Sequence, residues 1–245
     1  MKPKLLIALG DSFTEGWGNY DPVKLQEFLE KNKDISHNPD WASPLPEDRI
    51  DGFHEMLFAS KSRFLEYSWP NVLKQMAGFD RVINVGRGGT SVSGQLKRFM
   101  ANYGEIDFSN EYDVTLIWLI PSSLRISFFI NGLVQDIHLK DTRKQYSKLV
   151  VDLMELMNNP EDDLHLERDF YIQIIKYFCQ AKNYKFYFDF VFKEGVDRQV
   201  KYLQESGYLN IKFPEFTPYN TSFCLHFNEL GYSQLAKNIF DRLTI

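Results

Sequence analysis

A chain of 245 residues, 44% hydrophobic and 25% charged, is long enough to bury a core and too apolar to be intrinsically disordered. Its formal net charge of −5 offers no electrostatic footprint for nucleic acid. No run approaches the roughly 20 apolar residues that would span a bilayer. Cys179 and Cys224 are too few for a disulfide framework and read as free thiols of a reducing compartment. The opening MKPKLLIALGDS has a charged start but an apolar run too short for a signal peptide. A soluble, cytoplasmic protein is expected, with no membrane partner.

In chain order, the first element is the apolar run Lys4–Leu9, a buried strand. It leads straight into GDSFTEG, Gly10 to Gly16. Asp11 or Ser12 can cap a helix there, since short oxygen-bearing side chains accept from the free N–H groups of a first turn. Ser12 can equally be a nucleophile held at a strand end. The stretch Lys31–Ser62 shows no clear period and reads as a surface insertion within a single domain spanning residues 1–245. Ser68-Trp69-Pro70 followed by NVLKQMAG predicts a helix with Ser68 near its cap. A second strand, Arg81–Val85, runs into GRGGTS, and a helix follows over Ser93–Asn102. The third strand, Val114–Ile120, is followed by PSSLR and a loop over Ser127–Asp141. Helical patterns then cover Thr142–Met157 and, after a break at Asn158-Asn159-Pro160, Leu166–Lys182. Tyr184–Phe192 is rich in strand-favouring aromatics, and Asn228–Leu243 closes the pattern as a helix capped by Asn228.

Strands alternating with helices predict an α/β domain whose sheet is largely parallel and covered on both faces. Ligands of such sheets bind at the carboxyl ends of the strands, so the segments just after each strand are the ones to inspect. The Gly86–Gly89 turn lacks the Lys-Ser/Thr ending of a phosphate loop, and Ser91 stands where a dinucleotide fingerprint needs its third glycine. It is either a structural turn or a source of backbone N–H groups for an oxyanion. None of His37, His54, His138, His165 and His226 pairs with other ligands at a metal spacing, so no metal and no cofactor is expected. His226 differs from the other four by preceding the last helix. Arg125 follows the third strand and is placed to hold a carboxylate or orient a loop.

Three of these segments together resemble the SGNH (GDSL-type) hydrolases. GDSFTEG resembles block I, INVGRGGTS block II, and HFNELGYSQLAKNI block V, in the family's order. SWPNVLKQMAG resembles its first long helix. The resemblance implies a flavodoxin-like three-layer α/β/α sandwich that hydrolyses esters. Ser12 would be the nucleophile and His226 its base, with the N–H groups of Ser12 and Gly89 holding the oxyanion. Two positions depart from the family. Block III normally supplies an asparagine to the oxyanion hole, but here the third strand runs into IPSSLR, leaving Ser122 or Ser123 as substitutes. The aspartate expected three residues before the histidine is Phe223. Some family members rely on a Ser-His dyad with a backbone carbonyl. The implied substrate is a small acyl ester, such as an O-acetylated carbohydrate. The alternative is a catalytically weakened domain that binds carbohydrate or serves as a structural module. Residues 31–62 and 127–141 are the expected walls of a specificity pocket.

Overall fold

Strand β1, Lys4–Leu9, lies inside the sheet between β2, Arg81–Asn84, and β3, Asp113–Ile120, parallel to both. The computed structural model describes residues 1–32, 47–121, 125–130, 133–138, 160–191, 207–215, 217 and 226–243. On the far side of β3 lies β6, Lys185–Phe190, giving an all-parallel order β2-β1-β3-β6. Beyond β6 the chain at Gly207–Leu209 pairs with Phe188 through Phe188 N–H to Gly207 carbonyl (3.1 Å) and Leu209 N–H to Phe188 carbonyl (3.0 Å).

Both faces of the sheet are covered, which is why its inner strands read as unbroken apolar runs. Side chains alternate between faces with the period of two that a strand imposes. Leu5, Ile7 and Leu9, with Leu116, Trp118 and Ile120, face helices α6, Val92–Tyr103, and α7, Pro160–Ala181. Leu6 and Ala8, with Ile117 and Leu119, face helices α5, Trp69–Ala77, and α8, Glu229–Phe240. The result is a three-layer α/β/α sandwich. Among the described residues no helix is long and apolar enough to cross a membrane.

The remaining elements carry the corrections. After the short helix α1, Ser12–Glu15, come α2, Pro22–Lys31, α3, Glu47–Ala59, and α4, Lys61–Tyr67. Where it is described, the stretch that shows no clear period is therefore mostly helical. Tyr20, Phe28, Met56 and Phe64 form a separate apolar cluster among these helices. Residues 33–46 lie outside the described residues.

The segment expected as a loop after β3 contains an antiparallel hairpin, β4, Arg125–Ile130, and β5, Leu133–His138. Its register pairs Ile130 with Leu133, so Asn131-Gly132 joins the strands. That dipeptide between apolar runs is a strong short-range hairpin signal. Helix α7 begins at Pro160 rather than near Leu166. Proline fits the first helical turn, where its missing N–H costs nothing. Ser68 precedes α5 but makes no side-chain cap, its hydroxyl donating instead to the Leu65 carbonyl at 2.9 Å. Asn228 does cap α8, its Oδ1 accepting from the N–H groups of Leu230 and Gly231 at 3.0 and 3.2 Å. The helix expected over 142–157 lies outside the described residues.

Candidate active site

Adjacent strands β1 and β2 release their chains at the same edge of the sheet, and the two loops that follow are built onto each other. In the first loop, Asp11 takes the capping role. Its Oδ1 accepts from Phe13 N–H at 3.1 Å, and its carbonyl accepts from the N–H groups of Thr14 and Glu15 at 3.0 and 2.9 Å. Ser12, the first residue of α1, is thereby relieved of capping. Its N–H has no protein acceptor among the described residues. Its hydroxyl lies 2.7 Å from Nε2 of His226.

His226 stands two residues before the cap of α8, and its ring is flanked by aromatics of the first loop. The centroids of Phe13 and Trp17 lie 4.9 and 5.6 Å from its own. Phe227, fully buried, meets Phe13 edge-on at 5.6 Å and Tyr232 of α8 at 5.8 Å. The Tyr232 hydroxyl donates to the Trp17 carbonyl at 2.7 Å, tying the last helix to the loop that carries the serine. Backbones come close here too: a Cβ on Gly18 would collide with the Phe227 carbonyl.

The second loop follows β2. Asn84 donates from Nδ2 to the Thr14 carbonyl at 2.8 Å and accepts at Oδ1 from Gly86 N–H at 2.9 Å. Glu15 reaches across with Oε2, accepting from Trp17 Nε1 at 2.9 Å and from Gly88 N–H at 2.5 Å. Successive N–H groups are thus taken in turn. Val85 donates to the Ala8 carbonyl, Arg87 to that of Gly10 and Thr90 to that of Arg87. From Val85 to Thr90, only Gly89 has an N–H without a protein acceptor among the described residues. Gly89 is also exposed.

Sequence reasoning singled out Ser12, Gly89 and His226 but overlooked Glu15, Trp17 and Asn84, which join the loops. Glu15 and Trp17 sit inside or beside GDSFTEG, yet nothing local says that a carboxylate there will meet an N–H at position 88. Arg125 opens β4 in register with His138. Ser122, Ser123, Phe223 and Cys224 lie outside the described residues. Among the described residues no group of three or more His, Cys, Asp or Glu could hold a metal ion.

No family model and no curated protein matches the chain. Two solved structures align with it over nearly their whole length. One is assigned to the lipolytic G-D-S-L family, from Desulfitobacterium hafniense DCB-2. It is 15% identical, with 98% of this chain and 99% of that one covered, at a TM-score of 0.36. The other is a member of the lipolytic protein G-D-S-L family from Veillonella parvula DSM 2008, 13% identical, with 98% of each chain covered, at a TM-score of 0.32. The chain resembles the GDSL-type hydrolases. At such TM-scores the likeness decides nothing about chemistry, and the layers and strand order described above carry the fold.

Proposed function

We propose that this chain hydrolyses small acyl esters, as an esterase or carbohydrate O-deacetylase, through a Ser12–His226 acyl-enzyme mechanism. The observation that carries the reading is the 2.7 Å contact between Ser12 Oγ and His226 Nε2, within reach for proton transfer. Nε2 takes the hydroxyl proton as Oγ attacks the acyl carbon. The oxyanion that forms is held by the N–H groups of Ser12 and Gly89, neither of which has a protein acceptor among the described residues. Collapse of the tetrahedral species breaks the ester C–O bond, and Nε2–H protonates the departing alcohol. A water molecule, deprotonated by the same nitrogen, then attacks the acyl-enzyme and frees the acid. A third oxyanion donor is assigned to the hydroxyl of Ser122 or Ser123. Ser12 is 5% exposed, which favours a small acyl group.

Purified protein is expected to hydrolyse p-nitrophenyl acetate and to be labelled at Ser12 by a fluorophosphonate, with both lost in Ser12→Ala. Absence of labelling and of turnover above background would leave the binding-module alternative standing, and turnover unchanged in Ser12→Ala would exclude Ser12 as the nucleophile. Truncating the serine that supplies the third donor is expected to cost about 10²–10³ in kcat. If Ser122→Ala and Ser123→Ala both leave kcat untouched, neither hydroxyl serves.

A further inference from the structure

The oxyanion loop forms one wall of a cavity of about 520 Å³, lined by Arg87, Gly88, Gly89, Thr90, Gly94, Lys97 and Arg98. That volume is within the range of small-molecule sites. Three of the seven lining residues are cations and none is an acid, on a chain whose formal net charge is −5. Gly94, Lys97 and Arg98 share one face of α6 at spacings of three and four, so the glycine leaves room between the two charged side chains and the loop. Glu15, the carboxylate nearest in the bonding pattern, is already engaged by Trp17 Nε1 and Gly88 N–H.

Elsewhere on the molecule some cations find partners and others, such as Lys74 and Arg81, have none among the described residues. Lys24 pairs with Glu27, Lys185 with Asp113 and Lys237 with Asp241. Among the described residues Arg87 and Lys97 have no ion-pair partner. Cations lining one cavity give it a positive potential that attracts an anion. Gly89, whose N–H points the mechanism to this loop, belongs to the same wall.

The geometry points to this cavity as the seat of an anionic group on the substrate, a carboxylate or a phosphate, held by Arg87 and Lys97 with Arg98 behind them. The esterase is thus selective for acyl esters that carry a negative charge. The assignment rests on Ser12 being the nucleophile. Because Arg87 and Lys97 are exposed, their attraction is screened by salt.

Two matched pairs of esters test it, differing in charge and in where the charge sits. p-Nitrophenyl hemisuccinate against p-nitrophenyl butyrate places a carboxylate on the acyl side. Acetylglycerol 3-phosphate against monoacetin places a phosphate on the alcohol side. In at least one pair, the ratio of kcat/KM for the charged over the neutral ester is expected to fall about tenfold in Arg87→Gln/Lys97→Gln at low ionic strength. The pair that responds identifies the group. Arg87→Lys/Lys97→Arg is expected to keep the preference, and added salt to shrink it in the wild type. Circular dichroism and the thermal midpoint establish that each variant is folded. Wild-type labelling at Ser12 with ratios unmoved in both pairs would overturn the anion pocket alone. No labelling at Ser12 would overturn the esterase reading and the pocket's role with it.

Discussion

Ser12 and His226 illustrate how one side chain frees another. Asp11 supplies the cap that α1 needs, so the neighbouring hydroxyl can turn to the imidazole. His226→Gln keeps much of the shape but offers no proton-accepting nitrogen of comparable basicity. Its kcat on p-nitrophenyl acetate is expected to fall about 10²–10⁴-fold. A contrasting group is Cys179, wholly buried among the side chains between the sheet and α7. Burial pushes its thiol up to about 12, because the thiolate would lie in apolar surroundings. Cys179 is therefore expected to resist dithionitrobenzoate in the native protein at neutral pH and to react once denaturant is added. Peptide mapping of the labelled thiol checks this.

Among the elements, the two loops after β1 and β2 depend on a very close approach. A Cβ on Gly86 would sit 2.5 Å from Glu15 N and 2.7 Å from the Thr14 carbonyl carbon, backbone atoms that cannot swing aside. Gly86→Ala is expected to lose about 1–3 kcal/mol of stability by urea denaturation and to lower kcat, as the loop carrying Gly89 is pushed off the loop carrying Ser12. Much at this level was legible in the sequence. The strand runs stand out because both sheet faces are buried, and Asn228 stands out because a cap's chemistry is local. The hairpin β4–β5 is legible too, in the Asn131-Gly132 that stands between its apolar runs. Helix α3 was not legible, since Met56 and its neighbours are defined by what α2 and α4 bring to them. The contact of Glu15 with Gly88 was likewise hidden, because 73 residues separate its partners.

Across the whole molecule, apolar burial is divided between the two faces of the sheet and a separate cluster of Tyr20, Phe28, Met56 and Phe64. Removing a buried side chain costs about 2–5 kcal/mol, wherever the surroundings fail to collapse into the space. For Met56→Ala that loss is expected to appear chiefly as faster hydrogen exchange in α2–α4, with the amides of β1 and β3 still slow. Uniform acceleration across the sheet would instead mean that the cluster and sheet unfold as one unit. The paired atoms of Ser12 and His226 lie 214 positions apart in the chain. A growing polypeptide therefore displays its serine 214 positions before the ribosome makes the imidazole. Closing so long a loop, over a sheet whose neighbours are all parallel, is slow. The proposed esterase activity is then a clock for completed folding: in refolding from urea, it should return with the slowest spectroscopic phase and never ahead of it.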